Sequence, residues 1–138
     1  MVISFGSELI RITEDMDVVR ARAEARRLAG TLGFGLGDQT RLATAVSELS
    51  RNVLLYAGHG QCEINDISTA TDIGIRIVFE DNGPGIADVD KALQDGYSTS
   101  GGLGAGLPGT RRLMDSFAIE SRPGLTRVDI ALQRRRGR

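Results

Sequence analysis

The chain has 138 residues, a length typical of one domain, so we predict a single domain over residues 1–138. Apolar residues make up 41% and charged residues 25%, which is a globular rather than a disordered composition. Seventeen basic and eighteen acidic residues leave a formal net charge of −1, so we expect neither nucleic acid nor a membrane surface as a partner. The one cysteine and the lack of a signal or membrane-spanning pattern predict a cytoplasmic protein.

The first half of the chain predicts a strand followed by two helices. Residues 2–12 are rich in β-branched and apolar side chains, which favours a strand. Apolar residues then recur at helical spacing over residues 18–32, and Gly33 is expected to end this helix. A second amphipathic pattern predicts a helix from residue 37 or 38 to about residue 56.

The second half of the chain predicts a hairpin, two more helices and two final strands. Only three residues separate the strand-like segments 61–68 and 72–81, which favours an antiparallel hairpin. The remaining predicted elements are a short helix at 87–94, a loop at 95–104, a helix at 107–117 and strands at 118–122 and 126–132. The basic tail, residues 133–138, is expected to be frayed.

This order of elements predicts the fold class. Because most of the strands meet through hairpins, the sheet should be mixed or antiparallel, and the helices should gather on one of its faces. We therefore expect an α/β fold of the α+β kind, a two-layer α/β sandwich.

Glu48 and Asn52 form the first candidate site. They lie four residues apart in the second predicted helix, so their side chains share one face. Carboxylate and amide oxygens suit Mg²⁺, which needs only one or two protein ligands beside substrate phosphates. The carboxylate could instead accept a proton from an attacking hydroxyl. A solvated helix face has the same spacing, so this pair alone does not decide the chemistry.

Two glycine-rich segments form the other candidate sites. Residues 81–85 read Asp-Asn-Gly-Pro-Gly after a predicted strand, where a carboxylate could bind an exocyclic amine such as that of adenine. Residues 101–107 read Gly-Gly-Leu-Gly-Ala-Gly-Leu before a helix, where backbone N–H groups could bind phosphate. An ordinary turn and a flexible loop would look the same, and the second segment is neither a dinucleotide fingerprint nor a P-loop.

Taken in this order, the three motifs resemble the N, G1 and G2 boxes of the GHKL superfamily of ATP-binding domains, whose Bergerat fold is a two-layer α/β sandwich. Segments 44–52, 56–58, 94–99 and 111–115 are similar to the RsbT-like switch serine/threonine kinases of stressosome modules. The resemblance extends over about residues 15–121.

This resemblance implies a role for each matching residue. Glu48 would be the general base that activates a serine hydroxyl of a substrate protein, and Asn52 would hold Mg²⁺ between the phosphates of ATP. Asp81 would bind the adenine amine with the support of Thr126, and residues 90–101 would be the ATP lid. The other implied nucleotide contacts are Arg51, Gly83, Gly85, Ile86, Ser98, Thr99, Gly102, Leu103, Gly104, Ala105, Gly106 and Leu107.

The resemblance also implies partners. The substrate would be a STAS-domain antagonist or stressosome scaffold protein, after whose phosphorylation the kinase would be free to activate a PP2C-type phosphatase. Two alternatives stay open: an anti-sigma factor kinase that binds sigma directly, and an ATP-binding partner switch with little kinase activity. The presence of Glu48 argues against the second, because ATP binding alone does not require a base.

Overall fold

Five strands and four helices make up residues 7–94 and 106–137, the part of the chain that the computed structural model describes. In chain order they are β1 (Ser7–Ile12), α1 (Asp15–Leu32), α2 (Leu36–Ala57), β2 (Gly60–Asp66), β3 (Asp72–Asp81), α3 (Val89–Ala92), α4 (Gly106–Leu113), β4 (Ser116–Arg122) and β5 (Leu125–Arg135). None of these helices is both long and apolar enough to span a membrane.

The strands form one sheet in the order β1-β2-β3-β5-β4, and every neighbouring pair is antiparallel. The predicted hairpin is present as β2 and β3, and β4 and β5 form a second one. The last residue of β3, Asp81, lies opposite Thr126 near the start of β5. The antiparallel register therefore brings two residues that are distant in sequence to one end of the sheet.

The core lies between one face of the sheet and the helices α1, α2 and α4. Alternate residues of β3 point to this face, and Ile75, Ile77 and Phe79 are almost fully buried there. The apolar stripe of α2 contributes Leu42, Val46 and Leu49 to the same buried cluster. Burial of such a side chain contributes about 1.5–3 kcal/mol relative to exposure. The predicted two-layer sandwich with helices on one face is confirmed, with an antiparallel sheet.

Two predicted boundaries are wrong. The helix predicted over residues 107–117 ends at Leu113, and Phe117 lies in β4 opposite Ile130. Leu113 and Phe117 are four residues apart, so their spacing resembles one face of a helix although strand pairing decides their conformation. The short helix predicted over 87–94 is present only as α3. The part of the predicted first strand at residues 2–6 lies outside the described residues.

The prediction of a frayed basic tail over residues 133–138 is also wrong for residues 133–136. The strand β5 continues to Arg135, which pairs with Asp72. The backbone N–H of Arg136 donates to the carbonyl oxygen of Thr71 at 2.9 Å. Arg134 bonds Asp38. The composition of the tail could not predict these contacts, because the partner residues are remote in sequence.

Candidate nucleotide site

A cavity of about 230 Å³ opens between α2, the end of β3, the segment that follows it, α4 and β5. Its wall is mostly apolar, with polar groups from a few side chains. The described residues that line it are Leu49, Asn52, Val53, Tyr56, Phe79, Asp81, Pro84, Gly85, Ile86, Ala87, Ala92, Gly106, Leu107, Thr126 and Val128.

One face of α2 forms a side of this cavity. Leu49, Asn52, Val53 and Tyr56 follow one another at intervals of three, one and three residues, which places them on the same helix face. The sequence indicates Asn52 as a ligand and Tyr56 as a core or wall residue. It predicts Leu49 and Val53 only as core residues, although the same helical spacing places them on the cavity side.

Glu48 and Arg51 lie on α2 but are not among the described residues that line the cavity. The Nη1 atom of Arg51 donates to Oε1 of Glu48 at 3.1 Å. The side chain of Glu48 is 16% exposed, whereas that of Arg51 is about half exposed. Arg51 therefore contacts the carboxylate that we expected to act as a base, rather than lining the cavity where the nucleotide is expected.

Asp81 and Thr126 bring polar groups to the sheet side of the cavity. Asp81 is 8% exposed, and its Oδ1 atom accepts a hydrogen bond from the N–H of Gly83 at 3.0 Å. Burial raises the pKa of the Asp81 carboxyl above its ordinary value, and the Gly83 hydrogen bond opposes this only in part. The site thus holds a largely buried acceptor beside a hydroxyl group.

The turn after β3 contributes Gly85 and Ile86 to the wall, whereas Gly83 does not line the cavity. A Cβ atom on Gly83 would lie 2.7 Å from the Cβ of Ala57, and one on Gly85 would lie 2.6 Å from the carbonyl oxygen of Arg122. We expected both glycines to form a wall against the adenine ring. The close contact of Gly83 is with α2, whereas Gly85 lines the cavity and also lies against Arg122 at the end of β4.

Ser121 is a polar residue behind the cavity wall that no sequence motif indicated. Its Oγ atom accepts from the N–H of Ile86 at 2.7 Å and lies 2.7 Å from Oγ1 of Thr126. Ser121 and Thr126 are paired across the β4–β5 hairpin. A tight turn at residues 123 and 124 makes Ser121 and Thr126 strand partners, so the hairpin predicted from the sequence was the available signal for Ser121.

The N-terminus of α4 forms the remaining wall. Gly106 and Leu107, which we predict to bind phosphate through their N–H groups, line the cavity. Pro108 lies in the first turn of α4, where an N–H group would have no helical partner. The candidate phosphate contacts Ser98, Thr99, Gly102, Leu103, Gly104 and Ala105 lie outside the described residues, as does the lid from residue 95 onward.

The donor set of this site fits ATP and Mg²⁺. Apolar walls suit a flat base, the buried Asp81 carboxylate suits an amine donor, and the first N–H groups of α4 suit phosphate oxygens. No described group of three or more His, Cys, Asp or Glu side chains could hold a metal ion. The oxygen of Asn52 suits Mg²⁺ that is shared with phosphates.

Comparison with known proteins places the chain in a family. The model of the family described as "Histidine kinase-, DNA gyrase B-, and HSP90-like ATPase" matches residues 37–136. The "Serine/threonine-protein kinase RsbT" of Bacillus subtilis is 52% identical over 115 residues, which cover 83% of this chain and 86% of that protein. An "Anti-sigma F factor" of Caldanaerobacter subterraneus is 30% identical over 121 residues, with 85% of each protein covered.

Solved structures agree on the fold. The mycobacterial sensor histidine kinase MprB has a TM-score of 0.54 at 18% identity, covering 91% of this chain and 96% of that one. The catalytic domain of the histidine kinase ThkA has a TM-score of 0.52 at 16% identity, with 91% and 95% covered. The chain therefore belongs to the family of histidine kinase-, DNA gyrase B- and HSP90-like ATPases, and within it to the protein serine/threonine kinases related to RsbT.

Proposed function

We propose that this chain transfers the γ-phosphoryl group of ATP, with Mg²⁺, to a serine of a STAS-domain antagonist or stressosome scaffold protein. The observation that carries the proposal is the position of Asn52 and the buried Asp81 in one cavity. Glu48 lies one helical turn before Asn52. Phosphoryl transfer depends mainly on positioning and charge stabilisation, which this small set of groups can supply.

Each group has a separate task in this proposal. Asp81 accepts a hydrogen bond from the adenine amine, and the N-terminus of α4 binds phosphate oxygens. Asn52 would hold Mg²⁺, which when bound offsets the charge of the phosphates. Arg51 donates to Oε1 of Glu48, so we assign the proton of the substrate serine to the other carboxylate oxygen, Oε2.

The proposed partners are those that the family resemblance implies, and the 52% identity to RsbT supports the choice. Phosphorylation of the STAS-domain protein would release the kinase, which would then bind and activate a PP2C-type phosphatase in the cytoplasm. Purified STAS-domain proteins are therefore the substrates to test.

The test compares Glu48→Gln with the parent protein, using labelled ATP, Mg²⁺ and purified STAS-domain proteins. We expect ATP binding to change little, because Glu48 does not line the cavity, and phosphoryl transfer to fall by about 10²- to 10⁴-fold, because the proton acceptor is lost. The matched control is Glu24→Gln in α1. It removes the ion pair between Glu24 and Arg27, which are three residues apart, as Glu48 and Arg51 are. ATP binding without transfer to any cognate STAS-domain protein would contradict the kinase proposal, and transfer that survives in Glu48→Gln would contradict the assigned base.

An anti-sigma factor kinase is the second candidate function. The 30% identity to an anti-sigma F factor over 85% of the chain supports it, although less strongly than the higher identity supports the first. Size-exclusion chromatography with a STAS-domain protein and with a sigma factor separates the two. A stable complex with sigma and none with a STAS-domain protein would favour this second function.

A further inference from the structure

Asp81, Thr126 and Ser121 form a row across three neighbouring strands. Asp81 in β3 is paired with Thr126 in β5, and Thr126 is in turn paired with Ser121 in β4. Residues paired directly across strands place their side chains on the same face of a sheet. The row therefore runs from the carboxylate and the hydroxyl that line the cavity to a second hydroxyl behind them.

The hydrogen bonds of this row have a preferred direction. The Oγ atom of Ser121 accepts from the N–H of Ile86, so one of its two lone pairs is used and its proton is left to donate. Thr126 Oγ1, at 2.7 Å, is within reach of that proton. Either hydroxyl can donate across this contact, but if Thr126 donated to Ser121, no described hydrogen-bond partner would accept the Ser121 proton. Donation from Ser121 to Thr126 satisfies that proton and leaves the Thr126 proton to point into the cavity.

This direction matches one edge of adenine. Adenine presents an amine donor beside the ring-nitrogen acceptor N1, whereas hypoxanthine and guanine present a carbonyl acceptor beside an N–H donor. An acceptor at Asp81 next to a donor at Thr126 complements adenine and opposes the other two bases. The hydroxyl of Thr126 could make its contact directly or through a water molecule.

We propose that Ser121 is a positioning residue for base specificity: it accepts from Ile86, donates to Thr126 and so directs the Thr126 proton to the base. This inference rests on the proposed nucleotide site. Without Ser121, the Thr126 hydroxyl would be free to rotate and to accept from the N–H of hypoxanthine. Ser121 therefore acts through Thr126 and does not itself touch the nucleotide.

The test measures the dissociation constants of ATP and inosine triphosphate, whose bases differ only at this edge, in the absence of any substrate protein. We expect Ser121→Ala to reduce the preference for ATP by about 3- to 10-fold, the range of one neutral hydrogen bond. Loss of the Ile86 contact by itself would weaken both nucleotides equally and leave the ratio unchanged. Ser116→Ala, the same change on the solvent-facing side of β4, is the matched control and should leave both constants unchanged.

A double-mutant cycle with Thr126→Val separates specificity from structure. If Ser121 acts through Thr126, Ser121→Ala should have no further effect on the ratio in the Thr126→Val background. A similar loss of preference in both backgrounds would overturn the inference. Thermal unfolding of each variant without nucleotide shows whether it is folded. If Ser121→Ala is unfolded, Ser121→Cys replaces it, and because a thiol is a weaker donor we expect a smaller loss of the preference for ATP.

The outcomes distinguish this inference from the proposal on which it rests. If the parent protein fails to bind ATP, or binds inosine triphosphate equally well, the proposed adenine site is wrong and the inference falls with it. If the parent protein prefers ATP and Ser121→Ala keeps that preference, only the inference about Ser121 is wrong.

Discussion

Asp81 shows how the burial of one side chain affects both binding and stability. Asp81 is 8% exposed, lies at the end of β3 and lines the cavity. Burial raises its pKa above the ordinary value of 3.8, because the charged form loses hydration in the folded protein. A group that makes a good acceptor for a ligand therefore weakens the folded state when it is ionised.

The pH dependence of stability should reveal this effect. Because the folded-state pKa of Asp81 is raised, its contribution to stability is fully present below pH 3.8 and is lost as the pH rises through the folded-state pKa. Asp81→Asn removes the titration, so the free energy of unfolding of this variant should rise relative to the parent as the pH increases. The difference should amount to about 1.4 kcal/mol for each unit by which the pKa is raised.

Urea unfolding of both proteins at a series of pH values between about 3 and 7 measures this difference. The same variant should bind ATP about tenfold more weakly or worse, because the lost hydrogen bond is to a charged group. A constant stability difference across the whole range would contradict the assigned pKa direction.

At the scale of elements, the turn after β3 depends on its contact with the hairpin between β4 and β5. The N–H of Gly124 donates to the carbonyl oxygen of Gly83 at 2.9 Å, and Nδ2 of Asn82 donates to the carbonyl oxygen of Gly124 at 3.1 Å. Gly85 then passes against the backbone of Arg122. These contacts hold the Asp81 end of the site in place, and they could not be predicted from the turn composition alone.

Gly85→Ala and Gly124→Ala separate backbone strain from steric contact at this turn. Both residues have positive φ angles, +85° and +91°, but only at Gly85 would a Cβ atom meet backbone, the carbonyl oxygen of Arg122 at 2.6 Å. We expect Gly124→Ala to reduce the free energy of unfolding by about 1–2 kcal/mol and Gly85→Ala by roughly 1–3 kcal/mol more. Denaturant unfolding measures both, and equal losses would show that the contact with Arg122 adds nothing.

Across the whole molecule, Arg134 joins three parts of the chain that are remote in sequence. From β5, its guanidinium makes two hydrogen bonds to Asp38 in the first turn of α2, at 2.9 and 3.0 Å. It also donates to Asp115, in the connection between α4 and β4, at 2.6 Å. The start of α2 and the connection that follows α4 are thereby tied to the C-terminal end of β5.

Arg134→Met tests this connection, with the exposed neighbour Arg135→Met as the matched control. We expect Arg134→Met to reduce the free energy of unfolding by about 1–2 kcal/mol at low salt, since the side chain is one-third exposed and each such pair contributes only modestly. High salt should diminish the loss, and the control should stay within about 0.5 kcal/mol of the parent. Equal effects of the two substitutions would indicate that the basic tail has no such structural role.

Local sequence patterns were enough to predict the order of the elements and to identify the short motifs that carry the polar groups. These are local properties: helical spacing places Glu48 and Asn52 on one face of α2, and alternation along residues 72–81 predicts β3 with the bounds it has. The fold class follows, because these elements can bury their apolar faces only by stacking helices on a sheet.

Most contacts between distant groups became clear only from the tertiary structure. It paired Thr126 with Ser121, placed Arg51 on Glu48, and ended α4 before Phe117. The association of Asp81 with Thr126 was implied by the family resemblance, and the strand register brings the two residues opposite each other. Strand register and hydrogen-bond partners between remote segments depend on how the whole core packs, so no local pattern contains them. The candidate motifs were therefore visible in the sequence, whereas the polar row that supports them appeared only in the folded chain.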